Sequence, residues 1–206
     1  MARSRPVLLT AALSAAAVLG YFTYRLVEGG GDAPTAAVQD SHAHEAPELA
    51  VATLPEFSLA NLAGEQQSIR SWPGKPLLIN FWATWCAPCL REIPMLKELQ
   101  TERPDLQVVG IAIDKPDLVS KFAGDIQFNY PVLIGENEAW AAAAALGVNI
   151  YALPFTVFTG GDGSILGVHT GELHAEHLEN FRSVAADLGA GRISVEEARG
   201  RINSGI

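Results

Sequence analysis

Residues 77–94 read LLINFWATWCAPCLREIP. Leu77–Trp82 is a nearly continuous apolar run behind Gly74, Lys75 and Pro76. A run this dense predicts a central strand covered on both faces. Beyond it, Leu90, Ile93, Leu96 and Leu99 recur at spacings of three, which predicts a helix over 87–102. Cys86 and Cys89, the only two cysteines of the chain, sit where strand runs into helix. A CxxC pair at such a junction points to thiol–disulfide chemistry.

Outward from this stretch, apolar runs alternate with helical patterns. Before it, Pro55–Glu65 reads as a short strand and a turn at Gly64, with Gln67–Ile69 as the returning strand of a β-hairpin. After it, Leu106–Ile113 predicts a strand and 117–124 a short helix, with Leu118, Val119 and Phe122 on one face. Pro131–Ile134 is a short apolar strand. The Ala-rich stretch Glu138–Leu146 is helix-forming and ends at Gly147. Phe155–Thr159 and Ser164–His169 flank a glycine-rich turn and predict a second hairpin. Terminal helices are expected over 174–188 and 194–203, the second opening on Ser194 with Glu197 three residues on. Alternation implies parallel pairing, and the late hairpin implies an antiparallel edge. The expected fold class is α/β, a three-layer α/β/α sandwich with a mixed sheet and an N-terminal hairpin.

A disulfide enzyme needs one thiolate that attacks and one thiol that resolves. Cys86 precedes the helix, so free N–H groups and the positive end of the helix dipole favour its thiolate. Lowering a thiol from about 8.5 to about 7 takes roughly 2 kcal/mol, within reach of a helix end and local hydrogen bonds. Cys89, in the first turn, can then attack a mixed disulfide at Cys86. Pro88 is tolerated because first-turn N–H groups have no intrahelical partner. A structural zinc site would need further Cys or His ligands, and no second CxxC or Cys–His pair is present. A purely structural disulfide would close a very short loop, with correspondingly little gain.

With these residues in view, Asn80–Pro94 resembles the thioredoxin superfamily and, within it, the membrane-anchored TlpA/ResA-like thiol–disulfide oxidoreductases. The likeness covers about residues 50–190. It implies a thioredoxin-like fold with a βα-type insertion, for which residues 106–134 are the candidates. It also implies an extracytoplasmic enzyme that keeps partner cysteines reduced, with no metal and no other cofactor. Ala152-Leu153-Pro154 resembles the cis-proline loop that opposes the CxxC, which would put Leu153 backbone groups beside Cys86. With Trp85, Ala87 and Pro88, Leu153 and Pro154 are the expected substrate-binding residues. Pro94 resembles the proline that kinks the active-site helix. Glu92 resembles an acidic residue just past the CxxC and is expected as a third catalytic group; as a bare sequence feature it also suits a solvated helix N-terminus. Asn80 departs from ordinary thioredoxins, which carry a buried aspartate there. An amide cannot accept a proton, so Glu92 becomes the candidate base.

The ends of the chain bound location and partners. Arg3 and Arg5 precede Val7–Tyr24, an uncharged 18-residue stretch closed by Arg25. Its length is near the lower limit for a membrane span, and Tyr21, Phe22 and Tyr24 suit an interface. Residues 1–27 therefore read as an inner-membrane anchor or, with Ala15–Ala17 as cleavage region, a signal segment. Either exports the remainder to the periplasmic side. Residues 28–50 read as a flexible linker, whose His42, His44 and Glu45 make a poor metal site. A domain over 51–190 and a C-terminal helical extension over 191–206 complete the chain. The first 25 positions hold three of the 14 basic residues and none of the 23 acids. The remainder is strongly acidic, which disfavours nucleic acid. Expected partners are client proteins with cysteine pairs and a membrane dithiol donor, since the periplasm has no reducing glutathione buffer. A peroxidase and a copper chaperone using Cys86, Cys89 and a histidine stand as alternatives. His169, His174 and His177 look scattered near the C-terminal elements, and the glycines at 160, 161 and 163 form a turn without phosphate-loop spacing.

Overall fold

The computed structural model describes residues 51–148 and 152–205. The anchor and linker readings lie outside these residues. Strands β1 (Ser58–Asn61) and β2 (Gln66–Ser68) form the front hairpin. Then come β3 (Leu77–Trp82), α1 (Ala87–Glu102), β4 (Gln107–Ile113), α2 (Pro116–Ile126), β5 (Val132–Gly135) and α3 (Asn137–Ala145). The chain closes with β6 (Phe155–Thr159), β7 (Ile165–Thr170), α4 (Ala175–Gly189) and α5 (Val195–Ser204). Among the described residues no helix is long and apolar enough to cross a membrane.

The seven strands run in the order β2-β1-β5-β4-β3-β6-β7. β3, β4 and β5 are parallel, while β6 and β7 pair antiparallel beyond β3. β3 is thus interior, and all six of its residues are buried, as its unbroken apolar run predicts. Residues 107–135 fold as strand, helix, strand, and β5 enters the sheet between β4 and the front hairpin.

Alternation along β3 divides the core. Leu78 and Trp82 face one layer with α1, α4 and α5, including Leu96, Leu99, Phe181 and Ile202. Ile79 and Phe81 face the other, with Ala139, Ala142 and Ala143 of α3. Each fully buried Leu or Phe contributes about 1.5–3 kcal/mol through burial alone. This is the expected three-layer sandwich with a mixed sheet. α2 differs in one respect from its predicted face: Val119 is buried, but Leu118 stands 44% exposed. Leu118 lies at the edge of the helix face, where no further layer covers it.

Candidate active site

Cys86 closes β3's exit loop and is the N-cap of α1, in extended conformation. Its sulfur accepts the Cys89 N–H at 3.4 Å, one of the donors a helix leaves free at its start. The two cysteines are disulfide-bonded, with Cα atoms 5.3 Å apart. Cys86 keeps 5% of its surface, whereas Cys89 is wholly buried. Trp85 is 69% exposed beside them, while Trp82 packs inside against Phe122 and Phe128. α1 continues through Pro94, which has no N–H to donate to the Leu90 carbonyl.

Glu92 is not a solvated glutamate. It is 1% exposed, on the same face of α1 as Cys89, Ile93, Leu96 and Leu99. Asn80 Nδ2 donates to its Oε2 at 2.9 Å and to Thr156 Oγ1 at 3.1 Å. The backbone N–H of Leu173 donates to Oε1. Burial pushes the carboxyl up to about 7, against the pull of the Leu173 and Asn80 donors. A carboxyl poised there can exchange a proton at neutral pH.

Two residues outside the motif hold this arrangement. Asp114, at the end of β4, accepts from Thr84 N–H at 3.1 Å, from Thr84 Oγ1 at 2.5 Å and from Lys115 N–H at 2.8 Å. It fastens the loop that delivers Cys86. The only sequence hint was an acid at the carboxyl end of a buried strand. Arg91 and Glu172 form a bidentate pair across the surface, Nε to Oε1 at 2.8 Å, fixing the turn between β7 and α4. The pairing holds Glu172 below the usual carboxylate range.

The remaining expected residues fall as follows. Ala87 and Pro88 open α1, and the Leu153–Pro154 peptide is cis. Leu153 packs against both core clusters, and the Pro154 carbonyl accepts from Gly171 N–H at 2.9 Å. The three histidines are not scattered. His169 and His177 have ring centroids 4.3 Å apart, and His174 and His177 5.6 Å. The β7–α4 turn folds them together, which their spacing in sequence does not reveal. Even so, among the described residues no group of three or more His, Cys, Asp or Glu is placed to hold a metal ion.

The family model described as Redoxin matches residues 50–188. The chain belongs to the redoxin family. It is 34% identical over 130 residues to the thioredoxin-like protein YneN of Bacillus subtilis, covering 61% of this chain and 74% of that one. It is 30% identical over 137 residues to the thiol-disulfide oxidoreductase ResA of Geobacillus thermodenitrificans, covering 63% and 76%. Among solved structures, a putative thiol:disulfide interchange protein DsbE from Chlorobium tepidum shares the fold, with TM-score 0.59, 24% identity and 65% and 95% of the two chains covered. A thioredoxin-family thiol:disulfide interchange protein from the same organism aligns with TM-score 0.57, 26% identity and coverage of 66% and 94%. This redoxin is therefore a ResA-like thiol–disulfide oxidoreductase of the thioredoxin superfamily, with Cys86 and Cys89 as its cysteine pair.

Proposed function

We propose that this redoxin is a membrane-anchored, extracytoplasmic reductase of protein disulfides. In the reduced enzyme, the Cys86 thiolate attacks a client disulfide and forms a mixed disulfide, releasing one client thiolate. Cys89 loses its proton to Glu92 and attacks the Cys86 sulfur. The second client thiolate leaves, and the Cys86–Cys89 disulfide forms. The client gains two electrons and two protons. A membrane dithiol donor returns two electrons and two protons to the enzyme.

One arrangement carries this reading: a buried carboxyl at about 7 sits one helical turn beyond Cys89, while Cys86 caps the same helix. The cap favours a thiolate at Cys86, and the carboxyl supports deprotonation of Cys89. Trp85, Ala87 and Pro88 line the approach. Leu153 and Pro154, by likeness to the superfamily's opposing loop, would pair with client backbone as an added strand. Likeness to the TlpA/ResA branch favours apocytochrome c, or the copper-site cysteines of an oxidase subunit, as clients. Anchoring rests on the apolar stretch 7–24 behind Arg3 and Arg5.

Trapping tests the proposal. A Cys89→Ala variant, expressed in native membranes, should accumulate mixed disulfides at Cys86 with one reproducible client. Absence of any mixed disulfide across oxidising and reducing conditions overturns it.

A further inference from the structure

The peptide group joining Glu172 to Leu173 is engaged on both sides. Its N–H donates to Glu92 Oε1, and its carbonyl lies 3.2 Å from His169 Nε2. A carbonyl only accepts, so Nε2 carries the proton and His169 is the donor. Donation into a carbonyl draws charge toward its oxygen and makes the N–H of the same peptide a stronger donor. Register adds a second link. His169 is the cross-strand partner of Thr156, and Thr156 is the partner of Asn80. The two oxygens of Glu92 are thus served by two hydrogen-bonded chains that end on paired residues, Thr156 and His169.

We propose that His169 is a positioning residue for Glu92, acting through the Glu172–Leu173 peptide, which its Nε2–H orients and polarises. The catalytic meaning rests on Glu92 being the proton acceptor; the coupling itself does not. Glu92 is faced by Asn80 from β3, whose amide also reaches Thr156 of β6, and by Leu173 and Glu172 from the β7–α4 turn. Arg91 and the cysteine pair lie beside it on α1, and Tyr130 feels its charge from the loop before β5. His169 is faced by Glu172 and by His174 and His177 at the start of α4. Burial and those two rings hold the His169 imidazole below its usual range, against the Glu172 carbonyl, which pulls the other way.

The test reads the Glu92 carboxyl by NMR in the oxidised full-length protein carrying 13C-labelled glutamate, with the signal assigned from its loss in E92Q. His169→Leu removes the donor and should raise the Glu92 midpoint by about half a pH unit. His169→Gln retains an N–H of similar reach and should restore the midpoint to within about 0.1 unit of wild type. In the unmutated protein the His169 Nε2 and Leu173 amide resonances should both inflect with Glu92, and that inflection should vanish in E92Q. An unchanged midpoint in H169L overturns the proposal. So does a shift in H169Q as large as in H169L, or a His169 resonance blind to Glu92. Turnover of E92Q tests the proton-acceptor reading separately: a normal rate there sinks that reading and leaves the coupling standing.

Discussion

Asn80 donates its side-chain amide to Glu92 across 2.9 Å of buried space. The residue that replaces the usual buried acid is therefore not idle: it grips the carboxylate that would act instead. Removing that donor should make the charged form of Glu92 harder to hold. Asn80→Ala is expected to raise the Glu92 midpoint by roughly half a unit to one unit. Carboxyl titration by NMR in the oxidised protein gives the answer, and a lowered midpoint would contradict the assigned direction of the bond.

Client turnover should depend on Glu92 ionisation. A base works when deprotonated, so the rate should rise with pH through about 7, the value to which burial pushes the group. Glu92→Gln should lower turnover at neutral pH about 100-fold and remove that inflection. An insulin-type disulfide reduction assay over pH 5–9 reads both. A variant with wild-type rate and profile would eliminate Glu92 as the proton acceptor.

The same group adds a stabilising contribution whose pH dependence has a defined sign. Its folded value lies above the ordinary 4.5, at about 7. Its contribution is therefore fully present below pH 4.5 and is lost as pH rises through 7. Between pH 4 and pH 8, wild type should lose on the order of 3 kcal/mol relative to E92Q. Urea unfolding of both oxidised proteins across that range checks the slope. Parallel curves would refute it.

Asp114 accepts two hydrogen bonds from Thr84, which hold the loop before Cys86, and a third from its own neighbour Lys115. Asp114→Ala leaves the Thr84 and Lys115 donors without this partner and should cost about 2–3 kcal/mol of stability. Alkylation of Cys86 in the reduced variant should also lose its sharp pH dependence as the cap loosens. Calorimetry with iodoacetamide kinetics tests both, and unchanged behaviour in each would show the loop to be held elsewhere.

How much was legible from sequence depended on whether the signal was local. β3 and α1 are bounded by a dense apolar run and a helix start, and both fall where those patterns predict them. The glycines at 64 and 163 likewise mark their hairpin turns in the sequence, and both take a positive backbone φ in the fold. Glu92 was legible as a candidate but not as a buried group. The expected stripe ran through Leu90, while the packed face runs through Cys89, Glu92 and Ile93. Which of two adjacent helical faces turns inward is decided by the sheet, through Asn80 and Thr156. Asp114 and the histidine group meet their partners only through tertiary folding, 30 residues from Thr84 in one case. Leu118 shows the converse: an apolar side chain in the right period that finds no layer to cover it.

Arg199 joins two carbonyls, those of Ala52 and Ile165, each at 2.9 Å, and Ile165 N–H donates back to Ala52. Thr53 adds a bridge to Ser164. These fastenings lie at the turn end of β6–β7, away from the end where β3 delivers Cys86. Force arriving along the chain from upstream of Val51 would be grounded at that clasp. A pull applied at Val51 would load this clasp before it reached the sheet beneath Cys86.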